Sequence, residues 1–333
     1  MSGSPGSGTS PTRTDHPSQG GTLNEPAEFV EHGGALATFT ADLDIEDGLV
    51  VANGRDGRIH VWDAKDARAP KELSTIQSPQ PPGRIRLVNR KLVSVDRLES
   101  HRMGVWDLSD PRHPAAAPPI DLGDNPEAED HVSNLLAITT ARIQGTNPKT
   151  VQLWDLSDLR HPYHAEVANG TVNGFALSHD GRTLAVATDT TVDLWDIGDI
   201  HHPARAGSLA VERQSDLRFS PDDRLLVSNT MSRGAADPDS GRLHLWRVAD
   251  PHEPAEVATF TASRIVYGAR FSPDGRSLLV SEAGKDGAPS RVLLIDPGID
   301  RLTRHLCDTV GTAITPDQWH QYFPGTPYRR PCG

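Results

Sequence analysis

One twelve-residue segment constrains this chain more than any other feature. V-Q-L-W-D-L-S-D-L-R-H-P at 151–162 returns closely as V-D-L-W-D-I-G-D-I-H-H-P at 192–203 and as M-G-V-W-D-L-S-D-P-R-H-P at 103–114. Looser copies stand at 59–70 and 243–254, and 292–296 keeps the worn remains of a sixth. Successive Trp positions are 44, 48, 41, 51 and 49 residues apart, with Ile295 in the sixth place. Self-similarity at such a period means stacked copies of one small unit, each too small to bury its own apolar face. It specifies an architecture and says much less about a partner.

Each unit reads as an apolar strand, a turn, a second apolar strand, a loop, the strand carrying Trp, and a closing strand after Pro. Residues 171–210 show this most clearly, with strands expected at 172–178, 183–188, 191–197 and 204–209. Asp180-Gly181 and Asp274-Gly275 supply a side-chain turn bond and a residue suited to positive φ. The Trp strand alternates, with Val192 and Leu194 on one face and Asp193 and Trp195 on the other. Five of the six tryptophans, Trp62, Trp106, Trp154, Trp195 and Trp246, hold this one place, as fillers between stacked sheets rather than stacking platforms for a ligand.

Two further positions recur. Four residues after Trp stands Asp66, Asp110, Asp158, Asp199 or Asp250, and eight after it Pro70, Pro114, Pro162, Pro203 or Pro254. Asp opening a turn and Pro fixing entry to the next strand account for both. His113, His161 and His202 recur too, but equivalent turns of different units lie too far apart to share one metal ion. They are read as turn residues.

At 333 residues the chain can bury a substantial core, and 29 glycines with 27 prolines suit many short strands joined by tight turns. A formal net charge of −12 with no basic stripe argues against nucleic acid as a partner. No apolar run reaches membrane-spanning length, and no signal-peptide core is visible. Neither a membrane partner nor a secreted location is therefore expected, and the cytoplasm is the default.

These units resemble the WD-repeat β-propeller family over about 27–306, through the W-D strand and the turn Phe271-Ser272-Pro273-Asp274-Gly275. They are most similar to its actinobacterial type, with units L-W-D-x-x-D-P-x-x-P. The resemblance implies an all-β propeller of four-stranded antiparallel blades. The family's Gly-His pair, whose His joins an Asp, a Ser or Thr and the Trp in a bonded tetrad, is missing between units. Turn residues Asp56 and Asp189 survive from it. Six third strands imply six blades; seven is the commoner number in the family. Pro26-Ala27-Glu28-Phe29-Val30 matches Pro254-Ala255-Glu256-Val257-Ala258, so 27–31 is expected to complete the last blade beside 292–296. The alternative places 301–307 there.

Three regions follow: a disordered Ser/Gly/Pro-rich leader at 1–25, the propeller at 26–306, and a tail at 307–333. In the tail Thr315-Pro316-Asp317-Gln318 forms a capping box, and Trp319, Tyr322 and Phe323 line one face of a short helix that must dock to be stable. The tail resembles the Cys-bracketed close of many actinobacterial WD-repeat proteins. That likeness admits a Cys307–Cys332 disulfide, with free thiols expected in a reducing compartment.

No nucleophile elbow, phosphate loop or zinc motif is present in the sequence, and no catalytic residue, cofactor or metal is assigned. The acidic run at 121–130 lacks calcium-loop spacing and reads as an inter-blade loop. Long connections at 78–83, 97–102, 121–130, 142–149, 231–240 and 283–290 gather on one face, while the opposite face has tight turns. The expected function is a non-catalytic scaffold or sensor module in a signalling system, binding a protein or peptide there. Candidate contacts are Arg97, Glu99, His101, Arg102, Arg142, Arg233, Lys285 and Asp286, and any effector would be a separate polypeptide. The rival is a propeller hydrolase or lactonase with its site in a central channel. Inner strands that read as apolar, such as 172–178 and 266–271, speak against it.

Overall fold

The computed structural model describes residues 42–54, 56–77, 83–95, 101–141, 148–211, 213–230, 242–261, 265–283 and 290–298. The described residues are all β and form six antiparallel sheets. Sheet A holds β1 (Leu43–Glu46), β2 (Leu49–Asn53), β3 (Arg58–Asp63) and β4 (Lys71–Gln77). Sheet B holds β5 (Arg84–Leu87), β6 (Lys91–Val95), β7 (Arg102–Asp107) and β8 (Ala115–Ala116), with β9 (Ile120–Asp121) also pairing β7. Sheet C holds β10 (Asn125–Val132), β11 (Leu135–Ala141), β12 (Lys149–Asp155) and β13 (Tyr163–Gly170). Sheet D holds β14 (Gly174–Leu177), β15 (Thr183–Ala187), β16 (Thr191–Asp196) and β17 (Ala204–Ala210). Sheet E holds β18 (Gln214–Phe219), β19 (Leu225–Thr230), β20 (Arg242–Arg247) and β21 (Ala255–Thr261). Sheet F has three strands among the described residues, β22 (Val266–Phe271), β23 (Leu278–Glu282) and β24 (Arg291–Ile295). The leader, the closing strand at 27–31 and the tail with its cysteines lie outside the described residues.

The chain divides into two compact units, sheets A and B in one and sheets C to F in the other. Within the first, Val51, Ile59 and Val61 of sheet A pack on Ile85, Leu87 and Leu92 of sheet B. Within the second, three apolar layers fill the gaps between C and D, D and E, and E and F. Trp62, Trp106, Trp154 and Trp246 are buried, whereas Trp195 is only partly so.

The recurring Asp and Pro do what their chemistry predicts. The side chains of Asp66, Asp110, Asp158, Asp199 and Asp250 accept the N–H two residues on, at 2.9–3.1 Å. Each fourth strand starts directly after its Pro, as Lys71 after Pro70 and Ala255 after Pro254. His113, His161 and His202 bond the Asp of their own turn through Nδ1, at 2.8, 3.3 and 2.8 Å.

These contacts hold several turn carboxyls below the ordinary carboxylate range. For Asp110 the His113 ring is the leading cause, then the Arg112 N–H; for Asp158 the Arg160 N–H leads, then His161; for Asp199 the His202 ring leads. The Ser272 hydroxyl does the same for Asp274. A carboxyl with a depressed folded-state pKa adds stability above its unfolded value and loses it as pH falls through the folded one. The thermal midpoint is therefore expected to hold from neutral pH to about pH 5 and to decline below about pH 4. A midpoint that rises on acidification across that window would contradict this account.

Two expectations are corrected. The acidic run at 121–130 is not a loop from Asn125 onward but most of β10. Its carboxylates have strand work: Glu127 pairs with Lys149 at 2.8 Å, and Asp130 accepts the Leu177 N–H at 2.8 Å. The apolar reading of the first strands holds for β14, Gly-Phe-Ala-Leu, and for most of β22, but does not extend to the others. The first strands carry Asp44, Glu46, Arg86, Asp130, Asp216, Arg218 and Arg270, and most of these close the exposed edge of the next sheet.

The closure follows one plan. Asp42 accepts the Ile85 N–H at 3.0 Å, while Arg86 Nη1 donates to the Ile85 carbonyl at 2.6 Å and to Asp42 at 3.2 Å. Asp216 and Arg270 clasp the Ala269 backbone in the same way, at 3.2 Å to its N–H and 2.7 Å to its carbonyl. Asp44 accepts the Leu87 N–H at 2.8 Å, the equivalent of Asp130 with Leu177. An edge strand that would otherwise offer bare N–H groups is capped by charge.

Candidate protein-binding face

The second strand of each sheet starts after a tight turn, and in sheets B, C, E and F it leads in sequence into a long connection, 97–102, 142–149, 231–240 or 283–290. Toward the opposite, tight-turn end these strands bury Leu49, Leu92, Leu136, Leu184, Leu226 and Leu278. Toward the loop end the burial turns polar, with Ser94, Thr139, Thr140, Ser228, Asn229, Thr230 and Glu282 all buried. Three of these side chains leave an atom without a hydrogen-bond partner: Thr140 Oγ1, Asn229 Oδ1 and Glu282 Oε1. Each stands at the foot of a long connection, 142–149, 231–240 or 283–290. Sheet D offers the contrast. Its second strand, β15, is Thr-Leu-Ala-Val-Ala, and a short turn follows in which Thr188 Oγ1 accepts the N–H groups of Thr190 and Thr191.

A directed chain of donors runs toward the loop end of β19 in sheet E. Trp246 Nε1 donates to Ser228 Oγ at 3.0 Å, Ser228 Oγ to Gln214 Oε1 at 2.6 Å, and Gln214 Nε2 to Thr230 Oγ1 at 3.3 Å. Gln214, fully buried, thus links the Trp246 indole to Thr230 through Ser228. Sheet D has Val186 where sheet E has Ser228, and the Trp195 indole N–H is unpartnered. Asn173 Nδ2 donates to Asp189 there at 3.0 Å, a remnant of the same arrangement.

A pairing that the sequence reading missed joins the residue two before Trp to the residue ten after it in sheets A, D and E. His60 with Glu72 (2.7 Å), Asp193 with Arg205 (2.7 Å) and His244 with Glu256 (2.8 Å) are complementary pairs. Both histidines stack on their tryptophans, with ring centroids 5.4 and 5.2 Å apart. Sheet B has Gly104 and Ala116, and a Cβ on Gly104 would meet the Trp106 ring at 2.5 Å. The signal was present as covariation among the repeats themselves.

Of the candidate contacts, His101 and Arg102 fall within the described residues. His101 adopts φ 51° and its carbonyl accepts the Leu122 N–H at 2.8 Å; Arg102 opens β7 and is exposed. Arg97, Glu99, Arg142, Arg233, Lys285 and Asp286 lie outside them.

Comparison with known proteins gives one family match: residues 160–196 fit the model described as "WD domain, G-beta repeat". That span runs from the turn after Trp154 to the end of β16. Among solved structures, the chain is similar to one titled "Crystal Structure of Mitotic Checkpoint Complex", at 16% identity, 73% coverage of each chain and a TM-score of 0.49. No curated protein matches the chain.

Proposed function

We propose that this WD-repeat protein is a non-catalytic docking module that binds a protein or peptide on the face carrying its long loops. The carrying observation is the set of three buried, unpartnered oxygens, Thr140 Oγ1, Asn229 Oδ1 and Glu282 Oε1, at the feet of three of those loops. A buried polar atom left unpaired costs about 1–3 kcal/mol, a cost that a hydrogen bond from a docked partner would remove. The three atoms lie at the loop ends of β11, β19 and β23. The proposed ring has six blades, with 27–31 completing sheet F; that β21 also begins directly after a Pro supports this strand assignment. Cytoplasmic scaffold or sensor duty belongs to the same reading.

The central-channel enzyme fares less well for a physical reason. Asp42, directly before β1, and Asp44, Asp130 and Asp216 on β1, β10 and β18 each hold a backbone N–H of the next sheet, so their carboxylates are already committed.

Capture of a partner from host lysate followed by lysine and carboxylate cross-linking tests the reading. Cross-links are expected on 97–102, 142–149, 231–240 and 283–290. Cross-links confined to the turns at 108–114, 156–162 and 197–203 would overturn it.

A further inference from the structure

We propose that sheets E and F together form a socket for a basic side chain of the bound partner, an inference that rests on the docking reading above. Val227 on β19 and Val280 on β23 belong to the apolar layer between these sheets. Asn229 and Glu282 follow them by two positions, so strand alternation aims both into the same gap at its loop end. The two are also joined through Val266. Asn229 Nδ2 donates to the Val266 carbonyl at 3.4 Å, and Val266 is the residue directly opposite Glu282 in sheet F.

Asn229 is 7% exposed and Glu282 fully buried, and each keeps one oxygen without a partner, Oδ1 and Oε1. Their other polar atoms are engaged: Asn229 Nδ2 donates to the Val266 carbonyl, and Arg291 Nε donates to the other carboxylate oxygen, Oε2. Arg291 is 47% exposed and holds Oε2 from the solvent side, while Oε1 has no partner. What suits two buried acceptors, one of them a carboxylate oxygen, is a group made only of donors and carrying positive charge. A Lys ammonium or Arg guanidinium is such a group. A divalent ion fits less well, since calcium takes about six to eight oxygens and these two residues offer two unpartnered ones.

The probe is a set of immobilised random peptide pools, each with one central residue fixed as Lys, Arg, Gln or Ala. The full chain is expected to be retained about tenfold better by the Lys and Arg pools than by the Ala pool. Glu282→Gln, which preserves shape and removes charge, is expected to lose that preference while keeping its circular dichroism. Asn229→Asp, which adds charge, is expected to strengthen it, and this opposite sign separates the socket from a folding defect. Because the whole chain is acidic, it is the loss in Glu282→Gln that decides. Equal retention of the Lys pool by the parent and Glu282→Gln overturns the socket and leaves the docking reading standing. A preference for the Gln pool, or a stoichiometric divalent ion in the purified protein, also overturns it. Retention of the parent by none of the pools overturns both.

Discussion

Trp246→Ala is expected to lower the stability of the protein by about 3–5 kcal/mol, the cost of removing a buried large aromatic. Trp246 is 3% exposed and lies in the layer between sheets D and E, so its loss leaves a cavity between two sheets at once. It also stacks on His244 and supplies the first donor in the chain through Ser228 to Gln214. Trp195→Ala should cost less: that ring is partly exposed and its N–H is already unpartnered. Urea unfolding followed by circular dichroism measures both. Trp195→Ala proving the more damaging would show that the ring's place in the repeat, rather than its burial and bonding, sets its worth.

Asp216→Ala is expected to cost about 2–3 kcal/mol, as for a charge-assisted hydrogen bond whose partner is left behind. Its carboxylate accepts the Ala269 N–H and pairs with both Arg270 and Arg218, at 2.9 and 3.3 Å between charged groups. Without it, the edge of β22 loses its cap and Arg270 loses its anchor. Asp216 also adopts φ 44°, a conformation that Asn tolerates and Ala does not. Asp216→Asn should therefore retain a good part of the stability. Equal losses for Ala and Asn would mean that charge alone matters and that neither the backbone conformation nor the neutral bond contributes.

What was legible in the sequence was what is local. The turns after each Trp are made by an Asp bonding an N–H two residues on, and such a bond repeats wherever Asp and Pro repeat. The inner-strand clasps were not legible, because Asp42 and Asp216 act on N–H groups 43 and 53 residues away in another sheet. The same distance hid β10, whose Glu127, Glu129 and Asp130 read as loop until Lys149 and Leu177 stand beside them. Asn229 and Glu282 carry no motif at all; they become a site only when the packing of sheet E on sheet F aims both into one gap. The proposed loop face was read from loop length alone, and most of its individual contacts were named from loops outside the described residues.

Exchanging the connections at 142–149, 231–240 and 283–290 for the short Thr188–Thr191 turn of sheet D is the most direct test of where function resides. Circular dichroism and the unfolding midpoint of the exchanged protein should stay near those of the parent, and capture of its partner from host lysate should be lost. A well-folded exchanged protein that captures the same partner as before would contradict the account.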